Sequence, residues 1–583
     1  MDAASLVAEL KRRRVFRVLV GYGVVAFAVL QIIEPIMHGL HWSESVLTSV
    51  VVALAVGFPI VVGLAWIFDV NAGRIERTAP VSPERGARGP LLAALLVGLG
   101  LLAAAPGLGW YFFWRGRDRP AARAVRAPSI AVLPFANLSS DKEQEYFSDG
   151  LTEELLNLLA RTPGLHVAAR TSSFAFKGKS EDISAIAEKL HVAAVLEGSV
   201  RKAGDQIRIT TQLINASDGF HLWSQTYERK LTDVFAVQDE IARAVAGALK
   251  LELLAAPTSK DRSTVDPEAH NQYLLGRQFF RRGNLDAYRR AALAYEKAVQ
   301  LDPAYAPAWA GLAEARFWVA DSGESAAAVA EGMKKALAAA ERAIETGGEL
   351  ADGYLARAFL RAGVLWDWEG AGGDLARARA LRGADDAEIL YVSVVARFRP
   401  MGLVREMIAA LRKICELDPL NPRPWSDLGG VLTYAGDFAG ARAASLRSLE
   451  ISPEQARAPA ILATTYLLEG KAAQALEVSQ RSTEPVRRAL GRAFAEHSLG
   501  HAAAAQAALD EVIAGYGHFA AYQIGQVYAW RGELDRAFEW LDKAAAVHDG
   551  GLNSMKIDPL LRSLRGDPRY AALLEKMNLP AER

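Results

Sequence analysis

Cysteine is almost absent from this chain of 583 residues, and so is any excess of charge of one sign. The single Cys415 excludes an internal disulfide framework and a cysteine-based zinc site, and we interpret it as a small core residue. The 67 basic and 67 acidic residues cancel. This balance argues against nucleic acid as a partner, because domains that bind phosphates usually carry an excess of basic residues.

The sequence also lacks the motifs of the common catalytic sites. It contains no glycine-rich phosphate loop and no nucleophile elbow. His166, His191 and His221 are scattered, without the spacing of metal ligands. We therefore predict no catalytic residue, no cofactor and no metal, and expect a protein that is not an enzyme.

Long apolar runs dominate the first 114 residues. Residues 46–68 and 91–114 contain no charged side chain, and a weaker run covers residues 18–37. Because a bilayer core takes roughly 20 helical residues, the pattern predicts a membrane region over residues 1–114 with three transmembrane helices. Contact with the lipid bilayer is part of this prediction.

Basic residues near these runs predict their orientation. Several precede the first run, none lies between the first and second runs, and four arginines separate the second from the third. This pattern favours a multi-pass protein of the bacterial inner membrane with its soluble C-terminal region in the periplasm. The arginines that follow residue 114 favour the opposite, in which the third run is not inserted and the soluble part is cytoplasmic.

A compact α/β pattern follows a linker over residues 115–128 that is rich in Arg, Ala and Pro. Residues 129–255 predict the order β-α-β-α-β-β-β-α, a small domain with a mixed sheet. Ser148 or Asp149 is the predicted N-cap of its first helix.

Two sets of polar residues in this domain are candidates for a site. Asp149, Glu153 and Glu154 lie at the predicted start of a helix, where acidic residues also stabilise the helix dipole without any chemistry. Residues 170–173 follow a strand end, where ligands often bind in open α/β sheets. A small ligand or a peptide fits this position, and a solvated loop is the simpler interpretation.

The remainder, residues 265–583, is helical, alanine-rich and periodic. Leu428, Gly429 and Gly436 have counterparts 34 residues later, among them Leu462 and Gly470. This period is typical of tetratricopeptide (TPR) repeats, in which each unit is a pair of antiparallel helices. The length predicts about eight or nine pairs and a C-terminal cap formed by a pair of helices.

The small, aromatic, proline and glycine positions that carry the repeat signature are interpreted as structural. They are Leu275, Gly276, Phe279, Ala298, Pro303, Trp425, Leu428, Gly429, Gly436, Ala441, Pro453, Leu462, Tyr466, Gly470, Ala475, Gly525, Tyr528 and Ala537. Arg277, Arg281 and Arg282 make the first pair locally basic, and they are possible contacts for an acidic peptide. A solvated face on a helix at the domain junction explains these arginines equally.

Several sequence blocks resemble a known family. The blocks SIAVLPFANLSSDKEQEYFSDGLTEELLNLLA, EGSVRKAGDQIRITTQLINASDGFHLWSQTYER and DVFAVQDEIARAVA occur in the order of the TolB amino-terminal-like domain, related to the FlgO type. The opening block ELKRRRVFRVLVGYGVVAFAVLQ resembles the membrane segment that precedes this domain in one branch. The chain thus resembles bacterial membrane-anchored TPR proteins with a TolB-like domain. In related architectures the N-terminus carries a class III nucleotide cyclase or a winged-helix domain, and this sequence resembles neither.

The expected fold class is therefore multi-domain, with N-terminal transmembrane helices, a small α/β domain and a C-terminal all-α TPR superhelix. The leading hypothesis is a non-enzymatic, membrane-anchored scaffold that recruits protein partners through the concave face of its repeats at the cell envelope. The alternative is a signal-transducing receptor whose α/β domain senses a small ligand. The sequence identifies neither the partner nor the oligomeric state.

Overall fold

The computed structural model describes residues 22, 24–29, 54, 57–58, 61, 68–71, 74–77, 128–160, 162–249, 266–321 and 326–580. The chain divides into two compact units, Met1–Val125 and Arg126–Arg583. The division falls within the predicted linker over residues 115–128.

The described residues of the first unit include a short helical stretch over residues 24–29 and a two-stranded hairpin. Strands β1 (Phe68–Asn71) and β2 (Arg74–Arg77) pair in antiparallel fashion. The Tyr22 hydroxyl donates a hydrogen bond to the Leu54 carbonyl oxygen at 2.5 Å, which joins the first and second apolar runs.

The predicted location in an inner membrane is wrong. A bilayer crossing takes roughly 20 apolar helical residues, and no helix in the described part of the chain has that length and apolar character. Apart from the isolated residues given above, the predicted helices over residues 18–37, 46–68 and 91–114 lie outside the described residues.

The α/β part of the second unit is built on one mixed sheet of six strands. The strands are β3 (Ser129–Val132), β4 (Ala136–Asn137), β5 (His166–Val167), β6 (Ala194–Ala203), β7 (Gln206–Asn215) and β8 (His221–Lys230). They lie in the order β5-β3-β6-β7-β8, and β4 pairs with β6. β3 runs parallel to β5 and β6, whereas β6, β7 and β8 are antiparallel neighbours. The predicted mixed sheet is confirmed.

Helices cover both faces of this sheet. They are α1 (Glu145–Ala160), α2 (Arg170–Phe174), α3 (Ile183–Leu190) and α4 (Val234–Ala248). Because successive side chains of a strand point to opposite faces, Ile130 and Val132 of β3 lie in one core with α1 and α4. Ala131, between them, lies in a second core with α3.

The start of α1 differs from the prediction. The helix begins at Glu145, so Ser148 and Asp149 lie inside it and do not form its N-cap. The Asp149 side chain instead accepts hydrogen bonds from Lys177. Sequence pattern located this helix, but a short 3-10 turn at Lys142–Gln144 extends the helical path towards the N-terminus.

The rest of the unit is an array of helix pairs, which confirms the predicted helical superhelix. The described residues 266–546 form eight pairs. They are α5 (Pro267–Phe280) with α6 (Leu285–Leu301), α7 (Ala306–Asp321) with α8 (Ala326–Thr346), α9 (Ala351–Leu360) with α10 (Trp368–Arg382), α11 (Ala387–Ser393) and α12 (Arg399–Met401) with α13 (Val404–Leu417), α14 (Pro422–Ala435) with α15 (Phe438–Ile451), α16 (Arg457–Leu468) with α17 (Ala472–Ser479), α18 (Pro485–Ser498) with α19 (Ala502–Tyr516), and α20 (Ala521–Trp530) with α21 (Leu534–Ala546). Single π-helical turns follow α9 and α11.

The small residues of the repeat pattern mark where paired helices approach closely. A Cβ atom on Gly276 of α5 would lie 2.7 Å from the Tyr295 ring of α6, and one on Gly429 of α14 would lie 2.4 Å from Ser445 of α15. Gly436 and Gly470 have φ angles of 82° and 75° and end the first helix of their pairs. Other signature residues, including Ala298, Ala441, Ala475 and Ala537, are buried in the array.

One hydrogen bond recurs between repeats. The indole N–H of Trp309 donates to the Pro303 carbonyl oxygen at 2.9 Å, and that of Trp425 donates to Pro419 at 3.1 Å. In both repeats the tryptophan lies six residues after the proline. The bond therefore fixes the turn that leads into the first helix of a pair.

The C-terminal segment folds back onto the array. It consists of 3-10 turns at Gly550–Ser554 and Pro559–Leu564 and a single helix, α22 (Pro568–Lys576), where a helix pair was predicted. Asp558 is fully buried and accepts hydrogen bonds from Tyr522 and Gln526 of α20. The Trp368 indole, at the start of α10, donates to the Met577 carbonyl oxygen at 2.8 Å. The segment thus spans from the eighth pair to the third.

Candidate functional site

The inner face of the array is formed by the first helices of the pairs. These helices contact one another in sequence along the array, from α5 through α7, α9 and α11, and again from α14 through α16, α18 and α20. Stacked repeats of this kind present an extended concave surface. Side chains that these helices direct inward are therefore the first place to look for a site.

A polar pocket lies on this inner face between the fourth and sixth pairs. Its volume is about 80 Å³, well above the roughly 10–15 Å³ that one buried water needs. We call it the arginine pocket. Its lining residues are Arg399, Met407, Asp427, Gly430, Val431, Thr433, Tyr434, Arg457, Ile461, Thr464, Ser554 and Ile557. The last two come from the C-terminal segment that folds back onto the array.

Asp427 of α14 is the buried anion of the pocket. One of its oxygens lies 3.0 Å from Arg457 Nη2, and the other accepts a hydrogen bond from the Tyr391 hydroxyl at 3.2 Å. Burial alone would raise the pKa of Asp427, but the guanidinium groups of Arg457, Arg399 and Arg423 outweigh it and lower this pKa. Asp427 is therefore charged and compensated within the protein.

Two cationic groups of the pocket have hydrogen-bonding capacity left over. The Arg457 side chain is 42% exposed, yet its Nε atom is buried and makes no hydrogen bond within the described residues. The Arg399 side chain, from the short helix α12, makes no hydrogen bond or ion pair with any described residue, although it interacts electrostatically with Asp427. The pocket thus presents unused N–H donors beside a neutralised carboxylate.

Acidic residues gather on the inner face of the first four pairs. The Arg382 guanidinium forms ion pairs with Asp352, Asp386 and Glu388. Glu314 of α7 lies nearby, and burial together with the charges of Glu388 and Asp352 raises its pKa to about 8. The inner face therefore changes from acidic in its first half to basic at the arginine pocket.

The predicted arginines of the first pair lie at the junction with the α/β domain. Glu153 of α1 is 2% exposed and is contacted by the guanidinium groups of Arg170, Arg277 and Arg281. Burial alone would raise the pKa of Glu153, but these three arginines outweigh it and hold the pKa at about 2. Arg282 is not part of this junction and lies over the Phe279 ring at 5.3 Å.

The junction unites residues that the sequence singled out separately. Arg170 comes from the segment after the strand end, Arg277 and Arg281 from the first repeat, and Glu153 from the acidic start of α1. The helices also touch directly, because a Cβ atom on Gly150 of α1 would lie 2.5 Å from the Leu274 side chain of α5. No sequence signal pairs α1 with α5.

A second contact joins the α/β domain to the array much further along the chain. Both the backbone N–H and the hydroxyl of Ser172 donate to Asp418 Oδ1, at 3.0 and 2.6 Å. The Leu420 N–H donates in return to the Ser172 hydroxyl oxygen at 3.0 Å. Asp418 and Leu420 belong to the turn that leads into α14, the helix that carries Asp427.

Cys415, which the sequence predicts to be a core residue, lies in a packed core. Cys415 is buried in the core of the fourth pair, and burial raises the pKa of its thiol to about 12. In the part of the chain that the structure describes, no group of His, Cys, Asp and Glu side chains is arranged to hold a metal ion.

Sequence analysis did not identify Asp427 and Arg457 as site residues. The available signal was Asp427 itself, a charged residue directly before the Leu428–Gly429 pair of an apolar helix.

Comparisons with known proteins add the following similarities. Residues 126–244 match a family model described as the second domain of HilA/YgeH-like transcriptional regulators. A curated protein of Rhizobium meliloti (strain 1021), named "Putative adenylate cyclase 3", is 39% identical over 256 residues. That alignment covers 41% of this chain and 43% of the relative, so the chain spans less than half of the relative's length.

Two solved structures are similar to part of this chain. PilF of Pseudomonas aeruginosa aligns with 37% of this chain and 93% of its own, at 17% identity and a TM-score of 0.29. YrrB, described as a TPR protein with an unusual peptide-binding site, aligns with 38% of this chain and 99% of its own, at 18% identity and a TM-score of 0.25. With scores this low, the assignment of TPR repeats rests on the helix pairs, close contacts and turns of this chain itself.

Proposed function

We propose that this chain is a non-enzymatic scaffold that binds a segment of a partner protein on the inner face of its TPR array. The observation that carries the proposal is the arginine pocket, in which Arg399 and the Nε atom of Arg457 have no hydrogen-bond partner among the described residues. A bound segment with acceptor groups meets unbonded N–H donors of the Arg399 guanidinium, and the Arg457 side chain, which is 42% exposed, lines the same pocket.

The composition of the pocket supports a protein segment as its occupant. Val431, Ile461 and Ile557 provide apolar wall beside the polar groups of Thr433 and Thr464. Ligand pockets typically combine an apolar lining with a few placed polar groups. The concave surface of a repeat array also accommodates an extended chain.

The α/β domain, in this proposal, is a fixed companion of the array. The contacts of Glu153 and Ser172 attach it to the first pair and to the turn before α14. Its resemblance to the TolB amino-terminal-like domain remains a prediction. We propose no cyclase chemistry, since the relative with that name is matched over less than half of its length.

One observation favours the receptor as a second candidate function. Ser172, in the segment after the strand end, bonds to the turn that begins α14, and α14 carries Asp427 of the arginine pocket. A small ligand bound near residues 170–173 would therefore act on the same helix that lines the pocket. The full-length chain screened against metabolites by thermal unfolding tests this candidate, because a ligand that binds the native state raises Tm.

The scaffold proposal is tested by selecting peptides on the full-length chain. A phage-displayed library of random peptides is panned against the wild-type protein, and the enriched peptides are measured by fluorescence anisotropy. The Thr464→Trp variant places an indole in the arginine pocket, and Leu446→Trp is its control, since Leu446 is 53% exposed on a second helix. We expect binding to weaken at least tenfold for Thr464→Trp and to stay unchanged for Leu446→Trp. A library that yields no binder, or binders that ignore Thr464→Trp, would contradict the proposal.

A further inference from the structure

We propose that the arginine pocket binds a carboxylate group of the partner segment, with Arg399 as the principal contact. This inference rests on the proposed function and names the chemistry that the pocket recognises. It concerns one chemical group, which comes either from an Asp or Glu side chain or from the C-terminus of the partner.

The charges of the pocket select an anion. Among the residues that line the pocket, Arg399 and Arg457 contribute two positive charges and Asp427 contributes one negative charge, and Arg423, outside the lining, adds to the positive charge near Asp427. Both oxygens of Asp427 are already engaged, one in the ion pair with Arg457 and the other as acceptor of the hydrogen bond from Tyr391. The Arg399 guanidinium is therefore the uncompensated charge, and a cationic group from a partner would meet repulsion from it.

The donors select a group with two acceptor oxygens. A guanidinium presents its N–H groups in a planar fork that matches a carboxylate. The Arg399 fork is free of hydrogen bonds among the described residues, and the partly exposed Arg457 side chain lines the same pocket. The hydroxyl groups of Thr464 and Ser554 also line the pocket. Thr464 donates to the Ala460 carbonyl oxygen, so it has acceptor capacity but no free proton for the ligand.

The net charge of the pocket favours a monoanion. A phosphate dianion would introduce two negative charges beside the buried carboxylate of Asp427, whereas one carboxylate balances the one uncompensated guanidinium. The volume of about 80 Å³ holds a carboxylate together with its adjoining carbon atoms. The partner would thus anchor one acidic group in the pocket while the rest of the segment follows the inner face.

The test is a double-mutant cycle between Arg399 and the peptide. Peptides enriched on the full-length wild-type chain are resynthesised with each Asp or Glu changed to its amide, and separately with an amidated C-terminus. Each version is measured against wild type, Arg399→Gln and Arg399→Lys. Arg481→Gln is the control, because the Arg481 side chain is 66% exposed and, within the described part of the chain, pairs only with Glu477.

We expect one amide replacement to weaken binding to wild type roughly tenfold or more and to have little effect on binding to Arg399→Gln. The replacement that does so identifies the source of the carboxylate. Arg399→Lys should recover part of the affinity, because it keeps the charge but loses the fork. Arg481→Gln should bind like wild type.

Two outcomes overturn the inference, and they differ. If peptides bind to the pocket but every amide version binds as well as its acid, the carboxylate contact is wrong while the scaffold remains. If no peptide binds the wild-type chain, the scaffold proposal fails and the carboxylate contact fails with it. Because Arg399 makes no ion pair within the described residues, loss of folding is not expected to confuse the result, and circular dichroism of the variant checks this.

Discussion

Arg457 Nη2 lies 3.0 Å from Asp427 Oδ1, across the gap between the sixth and the fifth helix pairs. Asp427 is almost fully buried, whereas the Arg457 side chain is partly exposed. The pair therefore joins two successive repeats on the inner face and positions the guanidinium at the edge of the arginine pocket.

Removing the Arg457 cation should lower the free energy of unfolding more than removing both charges of the Arg457–Asp427 pair. Arg457→Gln removes the ion-pair partner of the buried Asp427 carboxylate and leaves it the Tyr391 hydroxyl and the charges of Arg399 and Arg423. We expect a loss of roughly 1–3 kcal/mol in the free energy of unfolding. The double variant Asp427→Asn/Arg457→Gln should recover part of that loss, because no buried charge remains. Urea unfolding of wild type and the two variants measures both values. Equal losses in the single and double variants would show that the carboxylate does not depend on Arg457.

The Glu153 carboxylate should be essential to the attachment of the α/β domain to the first helix pair. Glu153→Gln removes the partner of three arginines, and we expect it to lower the free energy of unfolding by about 1.5–3 kcal/mol. Arg282→Gln is the control, since Arg282 lies outside the junction. Because the pKa of Glu153 is held at about 2, its contribution is fully present above pH 4.5 and is lost as the pH falls towards 2. Unfolding followed across this pH range should show a smaller acid dependence in Glu153→Gln than in wild type.

The contact between Ser172 and Asp418 predicts a difference between two adjacent serines. Ser172→Ala removes the hydroxyl that donates to Asp418 and accepts from Leu420. We expect a loss of about 1–2 kcal/mol in the free energy of unfolding and faster hydrogen exchange at the Leu420 amide. The Ser173 hydroxyl is also buried but has no hydrogen-bond partner among the described residues, so Ser173→Ala should be nearly neutral. Similar exchange rates at Leu420 in both variants would mean that the contact is not formed in solution.

Glu314 should make the array less stable as the pH rises. The pKa of this carboxyl group is raised to about 8 by burial and by neighbouring carboxylates, from an ordinary value of 4.5. Between these two pH values the folded state holds a proton that the unfolded state has released, so stability falls as the pH rises through this range. Glu314→Gln removes that dependence, and its Tm relative to wild type should increase from pH 5 to pH 8. Glu477→Gln, at a side chain that is 68% exposed, should show no such trend.

Substitution by alanine at two helical glycines should change the stability of the protein in opposite directions. A methyl group on Gly276 would meet the Tyr295 ring at 2.7 Å, whereas one on Gly373 of α10 would meet no atom within 4 Å. We expect Gly276→Ala to destabilise the protein by roughly 1–3 kcal/mol. Gly373→Ala should stabilise it by about 0.4–1 kcal/mol, because alanine has fewer conformations in the unfolded chain. Thermal unfolding of the two variants decides whether the close contact between α5 and α6 exists.

Local sequence patterns were sufficient to predict those elements whose structure depends on residues close together in the sequence. The recurrence of Leu428, Gly429 and Gly436 at 34 residues predicted the helix pairs, because each small residue marks a contact within its own hairpin. The order β-α-β-α-β-β-β-α over residues 129–255 predicted a mixed sheet, because strands joined by a helix and strands joined by a tight turn pair in different directions. The same kind of reasoning misplaced the start of α1, since a carboxylate near a predicted helix start is compatible with a cap or with an ion pair such as that of Asp149 with Lys177.

Predictions that required long-range information failed or stayed untested. The inner-membrane location was wrong for the part of the chain that the structure describes. The basic character of Arg277 and Arg281 was read from the sequence, but their partner Glu153 was not, because 128 residues separate Glu153 from Arg281. The arginine pocket was missed for a similar reason, since its walls come from pairs four to six and from the C-terminal segment.

Helix pairs, strands and turns follow from the local sequence, because these elements depend on residues within one period of the pattern. Which charges meet depends on the tertiary fold. The array curves until the turn before α14 reaches the α/β domain, where Ser172 bonds to Asp418 across 246 residues of sequence. The C-terminal segment returns to the third pair, where Trp368 bonds to Met577 across 209 residues. Curvature accumulates from small rotations between neighbouring repeats, so no single repeat specifies these contacts.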